Sequence, residues 1–203
     1  MVLAFYVVIV WEEAGTAEDH ASSEAAALAD TYWNLGVVPE PQRERLRGLV
    51  RDYTTEVIER EWPLLAEGEG DARAEELLFS LRSGITQLPV TPDLVKTARD
   101  RSIERLREIT DLRRQRVDQA GGLSPTGELT FYGTLGGALA VLAFPLLIGF
   151  SASIRHVVLI SLMAGVLGFT CYVVSDITQP FRGWIKVEPI AFRTVSTEFQ
   201  RIP

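Results

Sequence analysis

The sequence predicts an all-α membrane protein: a cytoplasmic helical bundle, a C-terminal transmembrane helical hairpin and a truncated N-terminal transmembrane segment. Three observations predict it. Leu129 to Ile154 and Val157 to Ser175 contain no charged residue, and about 20 apolar residues suffice to cross a bilayer core as a helix. Between residues 12 and 128 the apolar residues recur at spacings of three and four, the period of an amphipathic helix. No period-2 run long enough for a strand occurs before residue 180.

Residues 1–11 are uninterruptedly apolar, and Glu12 and Glu13 follow at once. There is no basic leader and no small-residue cleavage site, so the segment does not read as a secretory signal. At about 1.5 Å per residue it covers only about half of a hydrocarbon core. It reads as the end of a transmembrane helix whose start is missing, with a short buried or interfacial helix as the alternative.

The soluble stretch divides into helices. Ala14, Ala17, Ala21, Ala25, Leu28, Ala29 and Tyr32 form the stripe of a first helix, continuous with the apolar segment and ending near Gly36, before Pro39 and Pro41. A second helix spans about 41–61, with Leu46, Leu49, Val50, Tyr53, Val57 and Ile58 inward; Trp62-Pro63 should close it, because proline disfavours helix in the residue before it. A third spans about 72–88, with Leu77, Leu78, Leu81, Ile85 and Leu88 inward. A fourth spans about 92–119, with Leu94, Val95, Ala98, Ser102, Leu106, Ile109 and Val117 inward. Its surface holds seven Arg and five acidic residues between Arg99 and Asp118, spaced to pair along a solvated face.

The link between the apolar stretches is too short for a domain, so the spans form an antiparallel hairpin. The link carries only Arg155, whereas Arg113, Arg114 and Arg116 precede the hairpin and Arg182 and Lys186 follow it. Basic residues favour the cytoplasmic side. The division is therefore an N-terminal span end at 1–11, a cytoplasmic helical domain at 12–128, spans at 129–150 and 157–175 joined by an external link at 151–156, and a cytoplasmic tail at 176–203. The location is a plasma membrane, crossed more than once. Gly133 and Gly137 share one helix face, as do Ser161 with Gly165 and Ala164 with Gly168, a spacing that permits close helix packing in lipid. Pro145 should kink the first span. No Asp, Glu, Lys or Arg lies within either span, which argues against an ion-coupled transporter.

Little points to catalysis. The two histidines, His20 and His156, lie far apart, His20 reading as a surface residue. Cys171 is the only cysteine and lies in an apolar stretch, so no zinc set of three or four ligands assembles. Gly133 to Gly137 lacks the lysine of a phosphate loop. Glu56, Glu59 and Glu61 read as a solvated carboxylate face. The chain is not expected to be an enzyme or to hold a cofactor or metal, and its net charge of −7 argues against nucleic acid as a partner. After the last span, Pro180 fixes a turn, and Phe181 and Trp184 suit a membrane interface.

Leu3-Ala4-Phe5 leading to Trp11, Glu24-Ala25 with Leu28, Tyr53 followed by Glu61-Trp62-Pro63, and Pro180-Phe181-Arg182-Gly183 recur in order along the chain. Through them the whole chain resembles the bestrophin-like family of bacterial membrane proteins, a domain of unknown function, itself remotely similar to bestrophin anion channels. The resemblance implies a homo-oligomer in a lipid bilayer with small anions as possible passengers, and a pore neck that includes Phe5 and Tyr6. It implies a membrane-exit motif at Pro180, Phe181 and Gly183, and helix packing through Gly133, Gly137, Gly165 and Gly168. Family members carry two N-terminal spans, and this chain begins late in the second, so conduction is not expected of it in isolation. Bestrophins follow their Pro-Phe turn with calcium-binding acidic residues; here Arg182-Gly183-Trp184 follows, and no calcium site is implied. A membrane-anchored helical interaction or signalling module without conduction is the alternative.

Overall fold

The computed structural model describes residues 2–121, 125–147, 154–177, 180–182 and 186–201. All regular structure among them is helical: α1 (Val2–Asn34), α2 (Gln42–Glu56), α3 (Trp62–Leu65), α4 (Ala72–Thr86), α5 (Asp93–Ala120), α6 (Pro125–Leu147), α7 (Ile154–Ile177) and α8 (Ile190–Arg201). A single 3₁₀ turn, Leu35–Val37, follows α1, and a π turn, Val57–Glu61, joins α2 to α3. The chain forms two compact units. One comprises Met1–Ala14 and Gly122–Lys186, the other Gly15–Gly121 and Val187–Pro203.

The second unit holds the core. α1 contributes Ala17, Ala21, Ala25, Leu28 and Tyr32, all buried, as their spacing predicts. α2 adds Leu46, Val50 and Tyr53, α4 adds Leu77, Leu81 and Ile85, and α5 adds Val95, Ala98, Leu106 and Ile109. α2 and α4 approach closely at Gly84, where a β-carbon would stand 2.6 Å from Leu46 Cδ2. Asp71 caps α4 by accepting a hydrogen bond from the Arg73 N–H at 2.9 Å, satisfying a donor the helix cannot. Gly68 turns the chain after α3 with φ of 85°, a conformation that glycine adopts without steric cost.

The structure corrects several inward assignments. Leu49 and Ile58 are half-buried, Val117 is half-buried, and Leu94 is 63% exposed. Successive helical residues point about 100° apart, so a stripe has one centre. The α2 stripe centres between Leu46, Val50, Tyr53 and Val57, leaving Leu49 and Ile58 on opposite flanks. In α5, Val95 and Arg116 hold the inward positions that Leu94 and Val117 would need. Accordingly Leu106→Ala should cost about 2–5 kcal/mol and Leu49→Ala distinctly less. Urea unfolding of both variants checks this, and equal losses would refute the burial difference.

Helix 2 does not end at Trp62-Pro63. The Trp62 N–H donates to the Val57 carbonyl, closing the π turn, and Pro63 falls in the first turn of α3, where a missing N–H costs nothing. A further helix, α8, occupies the expected tail. It buries Phe192, Val195 and Phe199.

In the other unit, α6 and α7 pack against each other. Among the described residues one stretch, Ile154–Val173, is long and apolar enough to cross a membrane, with mean hydropathy 1.9; Tyr132–Phe144 is a shorter apolar run. Of the expected link at 151–156, residues 151–153 lie outside the described residues, and 154–156 form the first turn of α7. Pro145 stands in the last described turn of α6.

Candidate functional site

The carboxylate of Glu61 is not on a solvated face. It is fully buried, as are Glu24 and Arg116. Glu61 lies four residues beyond Val57 on the α2 core stripe, and the π turn carries it inward; π turns often occur at functional positions. From α5, Arg116 donates through Nε to Glu24 Oε2 at 3.0 Å, and through Nη2 to Glu24 Oε1 at 3.2 Å and Glu61 Oε2 at 3.0 Å. One turn earlier, Arg113 donates to Glu61 Oε1 through Nε at 2.9 Å and Nη2 at 2.6 Å, and to the Asp71 carbonyl at 2.8 Å. The Asp71 N–H also donates to Glu61 Oε1, at 3.3 Å. Tyr53 donates its hydroxyl proton to Glu24 Oε1 at 2.6 Å.

Two carboxylates thus face two guanidinium groups, and the buried charges cancel. Removing a charge from water costs several kcal/mol per ion, recovered only when partners and hydrogen bonds are complete. Burial alone would lower the Arg116 pKa, but the charges of Glu24 and Glu61 outweigh it and hold it above the usual arginine range. Arg113 is raised for the same reason, with Glu61 as its main counter-charge. Burial, reinforced by Glu24, pushes Tyr53 well above the ordinary tyrosine value, so it remains a donor. The remaining face of Arg116 is aromatic: its Cζ lies 5.2 Å from the Trp62 ring centre and 5.4 Å from that of Phe192. Among the described residues its Nη1 has no hydrogen-bond acceptor, and a guanidinium over ring faces is stabilised electrostatically without one.

The cluster joins α1, the π turn, α5 and α8. Trp62 Nε1 donates to the Val187 carbonyl at 3.0 Å, fixing the entry to α8, and Phe192 packs edge-on against Trp62 at 5.7 Å. A second clamp holds the far end of α8. Tyr32 stacks on Phe199 at 4.3 Å, with the Arg47 guanidinium over its ring at 4.5 Å. The Arg51 Nη1 donates to the Tyr32 hydroxyl at 3.0 Å, and Trp33 Nε1 donates to Glu198 at 3.0 Å.

Every charged member of the cluster is paired, and among the described residues no group of three or more His, Cys, Asp or Glu is placed to hold a metal ion. His20 is half-buried rather than on the surface, its Nδ1 without a hydrogen bond among the described residues.

None of the sequence-derived site residues is a member of this cluster. Phe5 and Tyr6 are on the α1 backbone, but their side chains lie outside the described set. Pro180 and Phe181 are buried at a turn, and Gly183 and Trp184 lie outside the described residues. Gly133, Gly137, Gly165 and Gly168 are exposed, and a β-carbon at any of them would meet nothing within 4 Å. The buried cluster is legible in the sequence only in part: Glu61-Trp62 and Glu24 stand in the motifs that carry the resemblance, but their partners Arg113 and Arg116 look there like surface charge.

The class these features define is an all-α protein in which a helical unit closes around a buried ion-pair cluster and a second unit carries exposed apolar helices. A family model for the bestrophin-like domain matches residues 1–192, and the chain belongs to the bestrophin-like family. No curated protein and no solved structure matches it.

Proposed function

We propose that the chain is a subunit of a bestrophin-like homo-oligomer in the plasma membrane that passes small anions, with no catalytic activity. The observation that carries this reading is the bare apolar surface of the second unit. None of Ile154–Val173 is buried within the chain, and Leu139, Phe144, Leu162 and Phe169 are each at least 58% exposed. Such a surface needs lipid or other subunits to cover it. The open faces at Gly133, Gly137, Gly165 and Gly168 suit close packing of helices from neighbouring subunits. The basic residues flanking α6 and α7 support a cytoplasmic helical domain and an external link. In this reading the two apolar helices are both spans, and the aromatic Phe5 and Tyr6 contribute an apolar neck, which can gate by dewetting without charge.

Reconstitution of the native protein in planar bilayers tests this. Phe5→Ala should widen the neck and raise anion current. A cysteine at Ser153 should react with an impermeant thiol reagent on intact cells, and one at Glu67 should not. Native protein that is monomeric in mild detergent and passes no current would instead support a membrane-anchored interaction module.

A further inference from the structure

α4 and α5 enclose a cleft of about 490 Å³ with Leu78 and Val117 among its walls. At its edge stands Phe79, 75% exposed. Glu75 lies one helical turn before Phe79 and Arg82 nearly one turn after it, and both also line the cleft. Both charged side chains are exposed. The ion pair within α4 runs instead through Arg73 and Glu76, and neither Glu75 nor Arg82 joins one among the described residues. One face of α4 therefore presents an acid, an aromatic ring and a base in order along its axis.

We propose that this face is a contact between two copies of the chain, related by a two-fold axis near Phe79. The order of the charges selects the partner and its direction. When a second α4 lies antiparallel on the first, Glu75 of each copy meets Arg82 of the other, and the two phenyl rings cover each other over the cleft. When it lies parallel, Glu75 faces Glu75 and Arg82 faces Arg82, which repels. Self-complementarity under a two-fold axis is the mark of an isologous interface. The dimensions agree: seven residues of helix put the two charges about 10 Å apart along the axis, and packed helices lie about 8–10 Å apart, within reach of both long side chains. Covering an exposed phenyl ring on each copy supplies the apolar term. A contact of one helix face is small, so alone it is weak; two copies held in one bilayer meet at high effective concentration.

The test is a cross-link specific to this face, made with the full chain in proteoliposomes. Cys171→Ser removes the single native cysteine, and Phe79→Cys places a thiol near the axis. Mild oxidation should give a disulfide dimer on a non-reducing gel. Glu75→Arg puts a base on either side of Phe79 and Arg82→Glu puts an acid on either side, so each alone should lower the dimer yield about fivefold to tenfold, as loss of two exposed pairs and gain of two repulsions implies. An equal mixture of the two variants should restore it, because the two bases of one then meet the two acids of the other. All three positions are exposed, so the fold is retained, and circular dichroism of each variant verifies that. Absence of a disulfide dimer from the Phe79→Cys chain, or a yield that neither single reversal lowers, overturns the proposal. So does a mixture that fails to recover it. The total subunit number in detergent is read separately and bears on assembly through the apolar helices, not on this face.

Discussion

Arg116→Met should destabilise the helical unit by about 3–5 kcal/mol, the usual cost of stripping one partner from a buried ion pair. Among the described residues Arg116 is the only cation on Glu24, which would keep just the Tyr53 hydroxyl. Glu61 would still hold Arg113 and the Asp71 N–H. The loss should therefore fall mainly on Glu24, and Glu24→Gln in the same chain should recover part of it, with a coupling of about 1–3 kcal/mol. Arg113→Met should cost less, since its partner keeps Arg116. The exposed pair of Arg43 with Glu40, at 39% and 51% side-chain exposure, provides the contrast: Arg43→Ala should leave the unfolding midpoint close to that of the parent, because water screens such a pair. Urea unfolding of these variants beside the parent measures all of this. An Arg116→Met chain as stable as the parent would show that the cluster contributes nothing to holding α1 against α5.

That cluster also marks the boundary of what the sequence discloses. The four long helical stripes are legible because alanines and leucines recur at three and four along α1, α2, α4 and α5, and burial follows them closely. The charged members sit on the same stripes: Glu24 falls between Ala21 and Leu28, Glu61 four residues past Val57, and Arg113 and Arg116 in line with Leu106 and Ile109. Two acids and two bases on inward positions are a signal of equal strength to the apolar pattern, but only when the stripes are known to face one another. A single helix viewed alone makes each charge look solvated. The π turn is hidden for another reason. Pro63 removes one backbone donor and crowds the preceding turn, and whether the chain stops or widens there depends on tertiary partners, here Arg113, Arg116 and Phe192. α8 is hard to see although Phe192, Val195 and Phe199 stand at spacings of three and four. Its apolar residues are few, and its low helix propensity residues, Thr194, Ser196 and Thr197, dilute the pattern. The membrane-exit and neck residues are a different case, since their roles depend on lipid and neighbouring subunits rather than on the single chain.

Phe192→Ala should cost about 3–5 kcal/mol, the range for truncating a buried aromatic ring. The position is fully buried, and its surroundings make the cavity expensive. The ring packs edge-on to Trp62 at 5.7 Å and lies 5.4 Å from the Arg116 guanidinium. Deleting it removes both the dispersion contacts and one of the two ring faces that shelter the acceptor-free Nη1 of Arg116. Water entering the gap would weaken the ion pairs that the dry site strengthens. The damage should therefore spread from α8 into the π turn and α5, rather than merely fray the C-terminal helix. Hydrogen exchange distinguishes the two outcomes. Faster exchange in α8, the π turn and the C-terminal half of α5 together supports a shared core, whereas faster exchange confined to α8 would mean that α8 is a peripheral cover. Phe199→Ala supplies the control at the other clamp. Its ring stacks on Tyr32 at 4.3 Å, away from the buried charges, so it should loosen α8 and the end of α1 while leaving exchange around Arg116 near its original rate.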